Sequence, residues 1–426
     1  MSETILAGID IGSSKIATIV GITSSESPEI RIIGFNISPS RGVKKGLIVD
    51  IEQVTGAVEE SVEKAERMAG HKINQAFVSV GGPHIASLNS HGIVAVSSAN
   101  GEIVSEDVAR VIDAARAISL STTRQIIEVS PREYSVDGQT GINNPIGMSG
   151  VRLEVDTHII TASATNLKNI DRCLEDLGIA NAGYIFAGLS SSEAILTDTE
   201  KDLGVAVVDI GGGKMDMCIF VEGALSHSVS IPIGAKHITN DIAVGLRVSL
   251  ESAEKIKMFL SKNAKAIHES FKKKSSDKKI DLNQLMLPEQ IGDVTPKTIL
   301  DGIIGPRLEE IYNLIGEEID KSGFGKQIPS GLVVTGGGAQ TIGMIEMGRK
   351  YLGLPIRVGV SNKLTGLTDE IMDPQFSCVA GLIYYGNMGT EHETEGGQKN
   401  FNKVLKDFSL NSSVGKVKDF FKQFLP

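Results

Sequence analysis

This chain is short of cysteine, of long apolar runs and of net positive charge, and each shortage excludes a class of protein. Its three cysteines, Cys173, Cys218 and Cys378, are far apart in sequence and form no CxxC pair, which argues against a disulfide framework or a zinc site. No apolar run approaches the roughly 20 residues of a membrane-spanning helix, and the N-terminal residues lack the pattern of a signal peptide. We therefore expect a protein that folds in the reducing cytoplasm.

The charge balance of the chain is acidic. A formal net charge of −10 makes general nucleic-acid binding an unsuitable function. Hydrophobic residues make up 41% of the sequence and charged residues 22%, which is ordinary for a soluble globular protein. With 426 residues, the chain is long enough for roughly two to four domains with cores of their own.

The two commonest glycine-rich phosphate motifs, GxGxxG and GxxxxGK[ST], are also missing. Another short signature is present twice. Asp10-Ile-Gly-Ser-Ser-Lys15 and Asp209-Ile-Gly-Gly-Gly-Lys214 each follow an apolar run, and a second strand-like run comes directly after each, at 16–20 and 215–221. A strand, an Asp-Ile-Gly turn and a second strand are thus written once in each half, which predicts two domains that close on one phosphate chain.

A third glycine-rich turn follows the strand-like run 332–335. Glycine lets backbone N–H groups approach phosphate oxygens without a Cβ in the way. One such turn alone is more often a tight connection with a solvated aspartate, but three in this order favour phosphate binding. We predict that Asp10 and Asp209 hold Mg²⁺ through water and that Lys15 meets a β- or γ-phosphate. The predicted phosphate-binding residues are Asp10, Gly12, Ser13, Ser14, Lys15, Asp209, Gly211, Gly212, Gly213, Lys214, Gly336, Gly337 and Gly338.

These three turns resemble the two phosphate motifs and the adenosine motif of the actin, Hsp70 and sugar-kinase ATPase superfamily. Further stretches are similar to the bacterial cell-division family FtsA: Arg41-Gly-Val-Lys-Lys-Gly46, Val78-Ser-Val-Gly-Gly82, Gly204-Val-Ala-Val-Val-Asp209, Ser252-Ala-Glu-Lys-Ile-Lys257 and Gly305-Pro-Arg-Leu-Glu-Glu310. The resemblance covers residues 5–381 and the C-terminal tail. It implies an α/β, actin-like two-lobed ATPase fold with an inserted 1C subdomain, plus a C-terminal amphipathic helix.

The resemblance also implies a division of the chain. Subdomain 1A would be 1–82 and 161–203, subdomain 1C 83–160, subdomain 2A 204–233 and 299–385, and subdomain 2B 234–298. On a helix of subdomain 2B, Glu254 and Lys257 would contact the ribose and adenine of ATP; the other interpretation is a solvated surface pair.

Two departures from the family pattern bear on hydrolysis. The family usually has Thr after the triple glycine, where this chain has Lys214. That lysine would neutralise a γ-phosphate or occupy the place of Mg²⁺ or the attacking water. The stretch 186–190 also lacks the Glu or Gln that orients water in active relatives, and Glu193, slightly later, is better interpreted as an ordinary helix residue. Because phosphoryl transfer needs an oriented acceptor, we predict tight binding of ATP with Mg²⁺ and slow hydrolysis at best.

The last residues form an amphipathic pattern after a polar stretch, 386–413, whose composition predicts a flexible linker. One apolar stripe at helical spacing contains Val414, Val417, Phe420, Phe421, Phe424 and Leu425. Three lysines against one aspartate make the other face basic, a pattern typical of a helix that lies on an anionic membrane surface. Docking back onto the protein body is the alternative. One such helix binds weakly, so several tails, joined by self-association into a filament, are expected.

The resemblance implies partners as well. In the family, subdomain 2B receives the partly acidic C-terminal peptide of the tubulin-like protein FtsZ, and Lys297 and Arg307 are candidates to pair with it; a solvated lysine and a capping arginine are the alternatives. The predicted function is an ATP-binding protein that tethers FtsZ filaments to the inner face of the cytoplasmic membrane at the septum and recruits later divisome proteins. The rival predictions are a PilM-like scaffold of pilus assembly and an actin-fold small-molecule kinase or ATPase.

Overall fold

The computed structural model describes residues 3–24, 27–267, 282–291, 294–361, 363–367 and 371–394. The strands, in chain order, are β1 (Glu3–Ile11), β2 (Lys15–Ser24), β3 (Ser27–Pro39), β4 (Val43–Lys44), β5 (Leu47–Ile48), β6 (Gln75–Val80), β7 (Ala86–Ala95), β8 (Arg124–Val136), β9 (Gln139–Ile142), β10 (Arg152–Ser163), β11 (Ala180–Phe186), β12 (Val205–Ile210), β13 (Met215–Val221), β14 (Ala224–Ile231), β15 (Leu332–Thr335), β16 (Ile356–Val358) and β17 (Thr365–Gly366).

The helices are α1 (Ile51–Ala69), α2 (Ser105–Arg116), α3 (Ala164–Glu175), α4 (Ala187–Ile195), α5 (Asp198–Leu203), α6 (Lys236–Leu246), α7 (Leu250–Lys262), α8 (Pro296–Ile299), α9 (Gly305–Ser322), α10 (Met344–Leu352) and α11 (Ser377–Thr394). A π-helical turn, Leu300–Ile304, joins α8 to α9, and 3₁₀ turns lie at Leu282–Leu285, Gly325–Gln327, Gly337–Gln340 and Pro374–Phe376. Across these described residues, no helix combines the length and the apolar character that a membrane span needs.

Two sheets built on the same plan form the two lobes. The first has the order β11-β6-β1-β2-β3-β17 and the second the order β14-β13-β12-β15-β16. In each lobe an antiparallel hairpin carries the Asp-Ile-Gly turn, with Asp10 opposite Ala17 in one and Asp209 opposite Asp216 in the other. A parallel strand lies beside each hairpin, β6 beside β1 and β15 beside β12. The carboxyl ends of parallel neighbours meet at one sheet edge, so the second and third predicted glycine turns, which follow β12 and β15, lie side by side.

A third unit is inserted in the first lobe between β6 and α3. Its sheet has the order β7-β10-β8-β9 and is covered by α2. It has a hydrophobic core of its own, which includes Ile103, Val111, Leu153 and Val155. The predicted insertion, 83–160, contains most of this unit.

Local signals set several element boundaries. Helix α1 begins after Asp50, whose carboxylate accepts a hydrogen bond from the N–H of Gln53, and ends at Gly70 with φ 71°. An Asp N-cap and a left-handed glycine are the usual start and stop of a helix. Apolar residues at near-helical spacing predict a helix over 51–69, and apolar runs predict strands at 75–80, 215–221 and 332–335; all four predictions are confirmed.

Three sequence expectations differ from the structure. Strand β9 lies inside the stretch 138–150, for which the composition predicts only a loop. The helix predicted over 299–321 begins as a π turn and becomes α-helical at Gly305. Helix α11 continues to Thr394, past the predicted start of the linker at Gly386; Gly386 packs against the ring of Phe77 in the first lobe, so the helix is held by burial there. The predicted lysine-rich loop 272–279, the remainder of the linker and the amphipathic helix 414–426 lie outside the described residues.

Candidate functional site

A cleft with a volume of about 1040 Å³ lies between the two lobes, where the three glycine turns meet. All fifteen residues predicted from the sequence to bind nucleotide line it: Asp10, Gly12, Ser13, Ser14, Lys15, Asp209, Gly211, Gly212, Gly213, Lys214, Glu254, Lys257, Gly336, Gly337 and Gly338. The fold thus brings together residues that are up to 328 positions apart in sequence (338 − 10).

The two Asp-Ile-Gly turns close with the same hydrogen bond. The N–H of Gly12 donates to the carbonyl of Lys15 over 3.0 Å, and the N–H of Gly211 donates to the carbonyl of Lys214 over 3.0 Å. The duplicated sequence signature therefore gives a duplicated backbone geometry, which turns the next N–H groups toward the cleft. Such turns provide an anion-binding concavity.

The lysine of the first turn is half-buried against the turn that precedes α11. The ammonium of Lys15 donates to the carbonyl of Gln375 and lies 5.5 Å from the ring centre of Phe376. Burial lowers the pKa of Lys15, against the raising effect of Asp10 and Asp209. A half-buried cation near two carboxylates is suited to bind the oxygens of a polyanion.

The two predicted metal-binding aspartates both line the cleft, and each accepts a hydrogen bond from a serine. The hydroxyl of Ser79 donates to Oδ1 of Asp10 over 2.6 Å, and the hydroxyl of Ser191 donates to Oδ2 of Asp209 over 2.5 Å. Burial raises the pKa of Asp209, and Lys214 opposes that shift. Within the described ranges, no group of three or more His, Cys, Asp or Glu side chains is arranged to hold a metal ion. Two carboxylates nevertheless suit Mg²⁺, which keeps several waters and takes its other ligands from phosphates.

The third turn depends on glycine for close packing. Gly336 has a φ of 80°, and a Cβ at Gly338 would clash with Cγ2 of Ile210. The hydroxyl of Thr335 bonds to the carbonyl of Gly359 over 3.0 Å and fixes the strand end. Backbone N–H groups of this turn are therefore close to the second phosphate turn.

The predicted ribose and adenine pair lies on α7 along one wall of the cleft. Lys257 is buried and its ammonium is 2.8 Å from Oε2 of Glu254. Thr239 of α6 joins both: its hydroxyl lies 2.5 Å from the same Glu254 oxygen, and Lys257 donates to it over 2.9 Å. The pair is thus hydrogen-bonded to the wall of the cleft through Thr239, with Lys257 buried and the side chain of Glu254 46% exposed.

Lys214 lines the cleft and has a carboxylate partner. Its ammonium forms an ion pair with Asp216, two residues further along β13. Glu193 lies on α4, is buried and pairs with Lys201 at 2.7 Å. It does not line the cleft, which agrees with its interpretation as an ordinary helix residue.

Several cleft residues were missed from the sequence. Lys236 and Thr239 on α6 line the cleft, together with Asp373, Gln375 and Cys378 from the start of α11 and the turn before it. The small-residue turn before Lys236 is a signal that could have identified this lysine. A Cβ at Gly234 would lie 2.5 Å from the carbonyl oxygen of Gly211, so only glycine allows this approach. No local signal identifies Asp373, Gln375 and Cys378, because their place depends on the path of the chain after β16.

The two predicted peptide-binding residues have different surroundings. Lys297, on α8, is exposed. Arg307, on α9, donates from Nε to Oδ2 of Asp241 over 2.5 Å and from Nη2 to Oδ1 over 2.9 Å, and it also pairs with Glu310. Arg307 is therefore a bridge between α6 and α9 and not a helix cap. The predicted membrane-binding residues, Val414, Val417, Phe420, Phe421, Phe424 and Leu425, lie outside the described residues.

Comparison with known proteins gives consistent matches. A family model described as "SHS2 domain inserted in FTSA" matches residues 82–161, and one described as "Cell division protein FtsA" matches residues 206–381. A cell division protein FtsA from Pseudomonas aeruginosa is 37% identical over 393 residues, covering 90% of each chain. The one from Borreliella burgdorferi is 36% identical over 417 residues, covering 98% of this chain and 97% of its own.

Solved structures share the fold at low sequence identity. A PilM-PilN type IV pilus biogenesis complex matches with a TM-score of 0.59 and 14% identity, over 90% of this chain and 98% of that one. MreB5 of Spiroplasma citri bound to AMPPNP matches with a TM-score of 0.53 and 12% identity, over 92% and 98%. These likenesses show a common actin-like architecture.

Proposed function

The chain belongs to the FtsA family of cell division proteins, and we propose that it acts in division as an ATP-binding scaffold that attaches FtsZ filaments to the membrane. Its cell-division role and its actin-like fold follow from the family. The bound nucleotide, the membrane contact and the individual partners are the content of the proposal.

The observation that carries the proposal is the convergence of three glycine turns on one cleft with the carboxylates of Asp10 and Asp209 and three lysines, Lys15, Lys214 and Lys257. The backbone N–H groups of 211–213 and 336–338 would hold phosphates, while Glu254 and Lys257 would contact the ribose and base. Asp10 and Asp209 would hold Mg²⁺, which supplies charge neutralisation for the phosphates when bound. The MreB5 structures contain ADP and AMPPNP, and this supports a nucleotide in the same cleft here.

The proposed hydrolysis is slow. Ala187, the residue of α4 that lines the cleft, carries no acid or amide, and Glu193 is engaged with Lys201 away from the cleft. A water molecule at the terminal phosphate therefore lacks a side chain from this element to hold it in line. The role that fits is a nucleotide-dependent change of shape or assembly, not metabolic turnover.

The proposed attachment to the membrane uses the tail. Its apolar stripe and its lysines suit an anionic bilayer surface at the cytoplasmic face of the cell membrane, and the septum is the expected location. Because a single tail of this length binds weakly, the proposal includes self-association that presents several tails together. Later divisome proteins would then be recruited to the assembled scaffold.

Co-sedimentation with anionic liposomes tests the membrane part. Full-length protein, a truncation after Ser413 and the charge variant Phe421→Glu are compared with and without Mg-ATP. We expect pelleting that needs the tail and increases with ATP. Equal recovery of all three forms in the supernatant would remove the tether role and favour a soluble scaffold.

A synthetic peptide with the C-terminal sequence of FtsZ tests the partner. Its affinity for the protein is measured by fluorescence anisotropy in wild type, Lys297→Ala and Arg307→Ala. Lys321→Ala is the matched control, since Lys321 is exposed and lies at the far end of α9. We expect weaker binding of the peptide to the first two variants only; unchanged binding to both would place the peptide elsewhere.

A further inference from the structure

Lys214 is held by one carboxylate at the place where the cleft meets the inserted domain. Its side chain is 13% exposed and that of Asp216 is 3% exposed. Lys214 lines the cleft and lies close enough to Asp10 and Asp209 to feel both charges. The ammonium of Lys214 is therefore attracted both by Asp216, with which it pairs, and by the carboxylates of Asp10 and Asp209 in the cleft.

Asp216 is incompletely satisfied in this arrangement. Its Oδ2 pairs with Lys214, while its Oδ1 is buried and has no hydrogen-bond partner among the described residues. A buried carboxylate with one free oxygen is costly. The pair therefore leaves part of the hydrogen-bonding capacity of Asp216 unused.

The pair packs directly against the hinge that leads into the inserted domain. That hinge is Gly81–Gly82, between β6 and β7. A Cβ at Gly81 would clash with Nζ of Lys214 and would lie 2.9 Å from Oδ1 of Asp216. Gly82 has a φ of 129°, a conformation that favours glycine. Because the ammonium of Lys214 packs directly against the backbone of Gly81, a movement of this ammonium would change the packing of the hinge.

His84, two residues beyond the hinge, is a second buried side chain with missing hydrogen bonds. Both of its ring nitrogens are buried without a partner in the described part of the chain. Burial lowers the pKa of His84 to about 4, and the nearby charges of Arg124 and Lys214 act in the same direction. With the free oxygen of Asp216, three buried polar atoms around the hinge lack partners in this arrangement.

The strand next to Lys214 and Asp216 holds the inserted domain in place through alternate serines. Ser226 accepts from Nε of Arg132 over 3.2 Å, Ser228 bonds to Nε2 of His158 over 3.0 Å, and Ser230 accepts from the N–H of Gly82 over 2.9 Å. Residues two apart on a strand share one face, and Ser230 is directly opposite Asp216 in the β13–β14 pairing. Strand β13 therefore follows directly from the second phosphate turn and pairs with β14, the strand that carries the docking face of the inserted domain.

We propose that Lys214 is a specificity-determining residue for the phosphate chain. When a nucleoside triphosphate is bound, the ammonium of Lys214 leaves Asp216 and binds the terminal phosphate. This movement releases the Gly81–Gly82 hinge. This inference rests on the proposed nucleotide binding. A triphosphate offers more negative charge than Asp216 does, and a lysine that gains charge-assisted hydrogen bonds favours it. A diphosphate presents one fewer phosphate group, and Lys214 stays with Asp216.

The first test measures the affinities of full-length protein for AMPPNP and ADP with Mg²⁺ by calorimetry. Lys214→Met is expected to weaken AMPPNP binding about tenfold or more, as for loss of a charge-assisted hydrogen bond, while ADP affinity changes less than about threefold. Asp216→Asn removes the competitor and is expected to strengthen AMPPNP binding selectively. Lys64→Met is the matched control, because Lys64 is an exposed lysine paired with Glu60 on α1.

The second test is hydrogen exchange of the hinge peptide in the same proteins. AMPPNP is expected to speed exchange of the Gly82 amide in wild type, whereas ADP leaves it slow. In Lys214→Met the two nucleotides should give the same exchange rate. Since Asp216→Asn acts in the opposite direction on affinity, a folding defect in Lys214→Met cannot imitate the full pattern.

Three results would overturn the inference, and they are distinguishable. If Lys214→Met binds both nucleotides as wild type does, Lys214 does not read the terminal phosphate. If exchange at Gly82 is the same with AMPPNP and ADP in wild type, the hinge is not coupled to it. If wild type binds neither nucleotide, the proposed function fails, and this inference fails with it.

Discussion

Lys236 in the second lobe donates a hydrogen bond of 2.7 Å from Nζ to the carbonyl oxygen of Ser13 in the first phosphate turn. The two residues are 223 positions apart in sequence, and the bond crosses the mouth of the cleft. Burial lowers the pKa of Lys236. The lobes are therefore joined at the site itself, not only through the chain segments that connect them.

Lys236→Met is expected to open the cleft and weaken nucleotide binding by about tenfold, because a hydrogen bond from a charged group is lost and the lobes lose a contact at the site. Small-angle scattering should report a larger radius of gyration without nucleotide, and calorimetry the lower affinity. Lys64→Met serves as the control with an intact cleft. A scattering curve and an affinity equal to those of wild type would contradict the role of this bond in closure.

Gly212→Ala is expected to hold the lobes apart without unfolding either one. A Cβ at Gly212 would clash with Oγ of Ser14, which belongs to the opposite lobe. Nucleotide affinity should fall while the thermal midpoint stays within about 2 °C of wild type, because neither core is altered.

Gly56→Ala is the matched comparison. Gly56 lies on the exposed side of α1, and a Cβ there meets nothing within 4 Å. Because glycine costs about 1 kcal/mol relative to alanine inside a helix, this variant should be more stable by about 0.5–1 kcal/mol in denaturant unfolding. Nucleotide affinity should not change. Destabilisation by Gly56→Ala would mean that α1 is packed differently.

The stability of the protein should fall as the solution becomes acidic, in part through His158. Burial lowers the pKa of His158 to about 3, and His227 and Arg132 act in the same direction. An unfolded histidine titrates near 6.5. Above that pH both states are neutral and the full stability is present; below it the unfolded state takes up a proton that the native state refuses, until the pH reaches about 3.

His158→Gln should therefore reduce the slope of unfolding free energy against pH, by up to about 1.4 kcal/mol per pH unit between pH 6 and 4. Urea unfolding at several pH values measures this slope. Ser228→Ala is a second variant: it leaves Nε2 of His158 without its 3.0 Å partner and should cost about 1–3 kcal/mol at neutral pH. An unchanged slope in His158→Gln would show that other groups control the acid response.

Arg307 and Asp241 should show coupling in a double-mutant cycle. Their two hydrogen bonds join α6 to α9, with side chains that are 22% and 30% exposed. For a partly exposed bidentate pair we expect a coupling energy of about 1 kcal/mol in denaturant unfolding. Asp241→Asn keeps Arg307 in the chain, so it also separates loss of stability from loss of peptide binding. Additive effects of Arg307→Ala and Asp241→Asn on the free energy of unfolding would show that the interaction between the two residues does not stabilise the protein.

Much of the local structure was predictable because its causes are local. Helix α1 has its cap at Asp50 and its stop at Gly70, both adjacent to the apolar periodicity between them. The phosphate turns were predictable for a similar reason: Gly12 and Gly211 close the same hydrogen bond because the same short signature precedes them. Strand β9 was missed since its pairing with β8 comes from a neighbour along the sheet, not from its own composition.

The sequence by itself determined the duplicated strand-turn-strand plan, the three glycine turns and the thirteen predicted residues in those turns, because each depends on residue type and short-range order. Glu254 and Lys257 came from the family resemblance. Only the tertiary structure decided where the long side chains go. Lys214 joins Asp216, Lys236 crosses to Ser13 and Arg307 bridges to Asp241. A flexible charged side chain takes whichever partner best offsets its desolvation, and for two of these three lysine and arginine side chains that partner is distant in sequence.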